Sequence, residues 1–116
     1  MKNSEVQGPT IVMDLTGQPV AISGQKLEQP LDLQEPKLLD LTNSLSKIDG
    51  ALHIATDLNL HGFACLLDGR SISMEDRSRG ARHNSALRFT AEHDHIMVVV
   101  VSSDRLVSII KEGVEL

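Results

Sequence analysis

Residues 48–67 read IDGALHIATDLNLHGFACLL, and residues 80–87 read GARHNSAL. In the first segment two apolar runs, Ala51–Thr56 and Gly62–Leu67, flank a short connection, which predicts two strands joined as a hairpin. In the second segment a glycine precedes a helical pattern, which predicts a helix start just after residue 80. A strand pair followed by a helix favours a domain that mixes strands and helices.

The residues before this segment add strands and one helix. Thr10–Leu15 and Pro19–Ser23 are predicted as two short strands around a glycine turn. Gly24–Leu33 contains a proline and is predicted as a connection. Glu35–Ser46 is predicted as a helix because a proline suits its first turn and leucines recur at helical spacing. The residues of this apolar stripe are Leu38, Leu41, Leu45 and Ile48.

The residues after this segment complete the predicted sheet. Ser71–Arg79 is polar and is predicted as a loop, and Arg82–Glu92 is predicted as a helix with Ala86, Phe89 and Thr90 facing inward. His95–Val101 contains four consecutive valines, which predicts a central strand buried on both faces. Arg105–Ile110 and Val114–Leu116 are predicted as the last strands. The fold class is therefore α/β, with a mixed central sheet of six or seven strands flanked by helices.

Composition limits the class of protein. A chain of 116 residues with 41% hydrophobic content predicts one soluble domain with a single core. No run reaches the roughly 18 apolar residues of a membrane span, and the polar opening 1–9 is unlike a signal peptide. The single Cys65 fits a reducing cytoplasm. With two phenylalanines as its aromatic residues and a net charge of -5, the chain is a poor candidate for binding nucleic acid.

The arginines are concentrated in one part of an acidic chain. Five of them lie within residues 70–88, together with two acidic residues. A local basic segment in an acidic protein is what a polyphosphate site would require. The alternative interpretation is a solvated arginine-rich loop and helix face, and charge alone favours that alternative.

Two short motifs contain residues that could bind a ligand or take part in a reaction. Asp49 stands beside Gly50 at a strand start, where the missing side chain would let a ligand approach the backbone. Arg82 and His83 follow Gly80 at a helix start, where side-chain donors and backbone N–H groups favour a phosphate. Each motif alone is better explained structurally, as a strand-start hydrogen bond or as an ordinary helix entry. Together they predict a carboxylate and a phosphate-binding helix start on opposite sides of one nucleotide.

The two motifs resemble those of the diadenylate cyclase domain family, Asp-Gly-Ala followed by Gly-Thr-Arg-His-Arg. Lys47 to Ala51 is similar to the start of the first motif in the DNA-integrity-scanning subfamily. Gly8 to Gly17 is similar to the family's first strand and turn, and Ile96 to Ser102 and Val107 to Leu116 are similar to its last strands. The resemblance covers residues 8–116. It implies a single diadenylate cyclase-like domain over residues 1–116, either a minimal form or part of a longer protein.

The resemblance implies the condensation of two ATP molecules into cyclic di-AMP with release of pyrophosphate. It gives Asp49 the catalytic role, as ligand of Mg²⁺ or Mn²⁺ or as activator of the attacking hydroxyl. Because each protomer would hold one ATP, it also implies a face-to-face homodimer or a larger assembly. The nucleotide-binding residues that it implies are Gly50, Ala51, Leu66, Leu67, Gly80, Arg82, His83, Asn84 and Ser85.

The chain departs from the family pattern at two positions. Asn84 stands where the family has its second arginine, and Ala81 stands where it has threonine. Loss of a charged hydrogen bond predicts a roughly ten- to hundred-fold loss in ATP affinity or rate. The alternative functions are therefore a degenerate adenine-nucleotide sensor or an oligomerisation domain. His93 and His95 resemble metal ligands in their spacing, but a solvated turn before the valine strand is the preferred interpretation.

Overall fold

The computed structural model describes residues 8–67, 80–102 and 106–116. Within these residues the chain forms seven strands and two helices: β1 Thr10–Asp14, β2 Gln25–Asp32, α1 Pro36–Leu45, β3 Ala51–Ala55, β4 Asn59–Cys65, α2 Ala81–Ala91, β5 Ile96–Val101, β6 Val107–Lys111 and β7 Val114–Glu115. The predicted fold class, strand count and helices are confirmed. The predicted loop Ser71–Arg79 and the start of the strand predicted at Arg105 lie outside the described residues.

All seven strands form one mixed sheet in the order β2-β4-β3-β1-β5-β6-β7. Strand β1 lies at the centre, parallel to β3 and antiparallel to β5. Thr10 of β1 is opposite Ala51 of β3, and Ala51 is in turn opposite Cys65 of β4. The start of β1, the start of β3 and the end of β4 therefore meet at one end of the sheet.

Helix α2 packs on one face of the sheet and closes the core. Ala86, Phe89 and Thr90 are buried, as predicted, and they pack over the alternate residues of β1 and β5 that share that face. The buried strand residues of this core include Val12, Ile96, Val98, Val100 and Ile110. This packing fixes the start of α2 close to the end of the sheet where β1 and β3 begin.

Helix α1 has the predicted bounds within a residue, but its apolar stripe is only partly covered. Leu38 and Leu45 are half-buried, whereas Leu41 is 47% exposed and Ile48 is 46% exposed. The helix packs against β2 and β4 on the face opposite α2 and leaves an apolar groove beside β1 and β3. Neither helix of the described residues is long and apolar enough to span a membrane.

The prediction for residues 19–33 was wrong. Pro19–Ser23 is not a strand, because the Val20 N–H donates to the Asp14 carboxylate instead of to a neighbouring strand. The strand lies later, at β2, in the residues predicted as a connection. Pro30 is tolerated there because β2 is an edge strand, and its pairing with β4 shifts register between Lys26 and Leu31.

The valine-rich strand β5 was predicted correctly in position, but not in its burial. Ile96, Val98 and Val100 are buried under α2, while Met97, Val99 and Val101 are only half-buried on the other face. The central strand of the sheet is β1, not β5. Burial on one face is sufficient to explain the pattern, because β-branched residues also suit a half-covered strand.

Candidate functional site

A cavity of about 170 Å³ opens at the end of the sheet where β1 and β3 start and β4 ends. The N-terminal part of α2 forms the remaining wall of this cavity. Of the residues predicted for the site, this cavity brings together Asp49, Gly50, Ala51, Leu66, Leu67, Arg82 and Ser85. Thr10 and Cys65 also line it, and sequence reasoning did not assign either of them to the site.

The Asp49 carboxylate is exposed and free to receive a ligand. Within the described part of the chain it has no hydrogen-bond donor and forms no ion pair. Its charge acts through space on the Arg82 guanidinium, with which it forms no direct salt bridge. An exposed carboxylate without a partner is available to bind a cation or to accept a hydroxyl proton.

Gly50 is required by the fold as well as by its place in the motif. Its φ is +114°, and a Cβ atom placed on it would lie 2.5 Å from the carbonyl carbon of Ala64 and 2.6 Å from its Cα. Ala64 itself has a positive φ of 52°, which is uncommon for alanine. The Ala64 backbone therefore fills the space beside Gly50, and this contact explains the glycine without any ligand.

The Arg82 guanidinium already holds two strand ends together. Nη1 donates to the carbonyl of Gly8 and, at 3.2 Å, to the hydroxyl of Thr10. Nη2 donates to the carbonyl of Val101 at 3.0 Å. Burial lowers the pKa of Arg82, and the Asp49 charge opposes that effect. Arg82 thus ties the start of β1 to the end of β5, with its charge still facing the cavity.

His83 and Asn84 do not line the cavity, although both were predicted as nucleotide-binding residues. Both side chains are buried. Nε2 of His83 lies 2.9 Å from Oε1 of Glu115, at the far edge of the sheet. Consecutive residues on a helix point about 100° apart, and here Arg82 faces the cavity while His83 contacts β7.

Gly80 and the first turn of α2 provide the remaining feature of the predicted phosphate site. Gly80 precedes the helix with φ +91°, a conformation that favours glycine, and its carbonyl accepts the first helical hydrogen bond, from the Asn84 N–H. The N–H groups of the first turn have no partner within the helix. Since Arg82 and Ser85 line the cavity, this positive end of the helix lies at its edge.

Leu66 and Leu67 form the apolar wall. Leu66 is 64% exposed, and its N–H donates to the carbonyl of Ser23 at 2.8 Å, which fixes the backbone there. Leu67 packs against the core. Burial raises the pKa of the Cys65 thiol, which keeps it neutral in the cavity wall. An exposed leucine held by its backbone suits contact with a flat apolar surface.

A second, more polar cavity of about 240 Å³ lies on the other side of Asp49. It is lined by Gly8, Ser46, Lys47 and Ile48 in addition to Asp49, Gly50 and Arg82. Asp49 and Arg82 therefore stand between an apolar cavity and a polar one. This arrangement could hold a ligand with an apolar part on one side and charged groups on the other.

No cluster of three or more histidine, cysteine, aspartate or glutamate side chains occurs in residues 8–67, 80–102 and 106–116. His93, one member of the apparent pair with His95, instead places Nδ1 2.9 Å from the Phe89 carbonyl and stacks on the Phe89 ring. Mg²⁺ is commonly bound by one or two carboxylates together with substrate phosphates, so Asp49 alone fits a metal that arrives with a nucleotide.

The chain is thus an α/β domain with a mixed sheet. A carboxylate, Asp49, and an arginine, Arg82, line one pocket at the end of that sheet. Over residues 3–114 the chain matches the family described as DAC, DisA bacterial checkpoint controller nucleotide-binding. The chain belongs to this family.

Solved structures show the same fold. A hypothetical membrane spanning protein from Bacillus cereus is similar with a TM-score of 0.70 and 20% identity, over 94% of this chain and 53% of that one. DacA from Staphylococcus aureus, in a double-mutant form, is similar with a TM-score of 0.64 and 18% identity, over 95% of this chain and 73% of that one. The chain thus spans only about half of the Bacillus cereus protein's length. A comparison with curated proteins finds no match.

Proposed function

We propose that this domain binds ATP in the cavity between Asp49 and Arg82 and acts as a diadenylate cyclase. The observation that carries the proposal is that these two side chains, from motifs far apart in the sequence, line the same two adjoining cavities. Membership of a nucleotide-binding family supports the same ligand. The proposed site is the subset of predicted residues that the fold gathers there.

Each part of the nucleotide has a chemically suitable partner. The adenine would lie against Leu66 and Leu67, where flat apolar contact is available. The triphosphate would lie towards Arg82 and the first turn of α2, where charge and N–H donors favour anions. Asp49 would hold Mg²⁺ or Mn²⁺ between itself and the phosphates. Such a metal, when bound, would neutralise charge that develops on the phosphate oxygens.

The reaction needs two domains. The 3′-hydroxyl oxygen of one ATP bonds to the α-phosphorus of the other, and the bond from that phosphorus to the bridging oxygen of pyrophosphate breaks. Asp49 is placed to accept the hydroxyl proton or to orient the hydroxyl. When both nucleotides react, the products are cyclic di-AMP, two pyrophosphates and two protons. A face-to-face homodimer is therefore part of the proposal, and a reducing cytoplasm is its proposed location.

The experiment is a product assay with the full chain, ATP and Mn²⁺ or Mg²⁺, analysed by chromatography and mass spectrometry. We expect cyclic di-AMP from the wild type, none from Asp49→Asn, and normal amounts from Asp40→Asn, which changes an exposed carboxylate on α1. Sedimentation in the same buffer would measure dimer formation. Absence of product from a dimeric, ATP-bound wild type would refute the cyclase activity.

One observation favours the alternative, a domain that binds an adenine nucleotide without turnover. Three hydrogen bonds of Arg82 are already made to Gly8, Thr10 and Val101, and the family's second arginine is replaced by the buried Asn84. Fewer donors then remain to stabilise the charge that develops in the transition state. Calorimetry that shows ATP binding beside a negative product assay would establish this alternative.

A further inference from the structure

A third cavity, of about 280 Å³, lies away from Asp49 and Arg82 and has no place in the proposed reaction. Residues 19–22, which follow β1 in the chain, form part of its lining. Its walls include the apolar Val20 and Ile22, and its polar side chains come from Gln25 and Lys26 on β2, His53 on β3 and His61 on β4. Cys65 contributes to this cavity and to the one beside Asp49.

His53 provides a hydrogen-bond acceptor to this cavity. Its Nε2 lies 2.8 Å from Oδ2 of Asp14, and both side chains are almost fully buried. Burial by itself would raise the pKa of Asp14, but hydrogen bonds from Thr16, Val20 and His53 lower it, so the carboxylate is ionised and accepts. In the neutral form of the imidazole the hydrogen then lies on Nε2, and Nδ1 is left as an acceptor.

Nδ1 of His53 has no hydrogen-bond donor within the described residues. Nδ1 of His83, by contrast, is buried away from solvent and has no hydrogen-bond partner within the described residues, whereas Nδ1 of His53 is not sealed in this way. An imidazole that is held in one tautomer by a buried carboxylate, and that has its other nitrogen accessible, is suited to accept from a ligand N–H or O–H.

Lys26 provides a positive charge at the rim of this cavity. It is exposed and forms no ion pair with any described residue. The other basic group at the cavity, His61, is held by the Asp57 carboxylate at 2.9 Å, so any charge on it is matched. The two imidazole rings lie with centroids 6.1 Å apart, tilted by 47°, and with Val20 and Ile22 they make walls that suit a ring.

We infer that this cavity binds a small organic anion that has a ring and carries an N–H or O–H donor. The donor would bond to Nδ1 of His53, the ring would lie against Val20 and Ile22, and the carboxylate or phosphate would pair with Lys26. The volume is near the lower limit of ligand pockets, which restricts the ligand to about one ring with its substituents.

The test uses NMR titration of the isotopically labelled full chain at pH 8 with three matched probes: 4-hydroxybenzoate, benzoate and phenol. Benzoate lacks the donor and phenol lacks the anionic group. We expect 4-hydroxybenzoate to bind about ten-fold more tightly than either, with shifts at His53, Lys26 and Ile22. Lys26→Gln should reduce its affinity to that of phenol, whereas Lys37→Gln, on α1, should change nothing.

Equal affinity for the three probes, or shifts confined to the cavity beside Asp49, would overturn the inference. The histidine spectrum of the unliganded wild type provides a separate test that requires no variant. It should show the hydrogen of His53 on Nε2, and a hydrogen on Nδ1 would remove the proposed acceptor. Neither result depends on cyclase activity, so the inference and the proposed function can fail independently.

Discussion

Nε2 of His53 donates to Oδ2 of Asp14 at 2.8 Å, and this buried contact links the two parallel strands at the centre of the sheet. The same carboxylate accepts from the Thr16 N–H and hydroxyl and from the Val20 N–H. Asp14 thus fixes the segment that follows β1 as well as the β1–β3 pair. Its pKa is lowered by these hydrogen bonds against the opposing effect of burial.

Asp14 should make the stability of the domain sensitive to acid. Because its folded pKa lies below the unfolded value of about 3.9, the ionised carboxylate contributes stability above that pH, and the contribution is lost as pH falls through the folded pKa. We expect Asp14→Asn to lower the free energy of unfolding by about 3 kcal/mol at neutral pH, since it leaves buried donors poorly matched. Urea unfolding from neutral to acid pH measures both effects. An Asp14→Asn variant that keeps the full acid sensitivity of the wild type, with Asp40→Asn as control, would contradict this assignment.

Gly50 should tolerate no side chain. Gly50→Ala places a methyl group 2.5 Å from the Ala64 backbone at φ +114°, so the strand end must move. We expect a loss of about 3 kcal/mol in unfolding free energy. Gly17→Ala is the matched control, because Gly17 also has a positive φ but open space around it, and strain alone should cost about 1 kcal/mol. Similar losses in both variants, measured by urea unfolding, would show that the Ala64 contact is unimportant.

The sequence predicted the proximity of Asp49 and Arg82 better than it predicted the sheet edges. Asp49 and Arg82 could be found because each stands in a short motif at the boundary of a strongly patterned element. β2 could not be found, because Pro30 and alternating polar residues are typical of a connection, and only its edge position makes them compatible with a strand. The strand predicted at Pro19–Ser23 is absent for another reason. The Asp14 side chain accepts the hydrogen bond from the Val20 N–H, which a neighbouring strand would otherwise accept.

The contacts made by the site residues were also beyond sequence reasoning. Nothing in the pattern around Arg82 indicates that it bonds to Gly8 and Val101, because those residues come near only when α2 packs across β1 and β5. The burial of His83 follows from the same packing. The one available signal was helical geometry, since neighbouring residues on α2 must face different directions.

Arg82→Lys should weaken both folding and nucleotide binding. A lysine has one ammonium group and cannot span the carbonyls of Gly8 and Val101, so at least one hydrogen bond from a charged donor is lost. We expect a loss of about 2 kcal/mol in unfolding free energy, measured by denaturant titration. Calorimetry should show about ten-fold weaker ATP binding. Unchanged stability would mean that the strand contacts of Arg82 are not formed in solution, and Lys37→Arg serves as an exposed control for the exchange of the two side chains.

His83→Gln should affect folding but not ATP binding. The imidazole bonds to Glu115 of β7 and does not line the cavity, and a glutamine would only weaken that contact. We expect about 1 kcal/mol less unfolding free energy, measured by urea titration, and an ATP affinity within about two-fold of the wild type by calorimetry. A ten-fold loss of affinity in a folded variant would instead restore the nucleotide-binding role that the family motif implies for His83.

Asn84→Arg restores the family's motif, yet we expect it to harm this protein. Asn84 is 6% exposed and does not line either cavity beside Asp49, so an arginine there would bury a charge near the positive end of α2. The expected loss is about 3 kcal/mol of unfolding free energy, seen as a lower midpoint in thermal denaturation. Asn43→Arg, at an exposed position of α1, is the matched control and should change the midpoint little. If Asn84→Arg were instead as stable as the wild type and bound ATP more tightly, the arginine must reach the cavity. In that case ATP binding by this domain would be limited by the loss of the family's second arginine, and not by the hydrogen bonds that Arg82 makes within the fold.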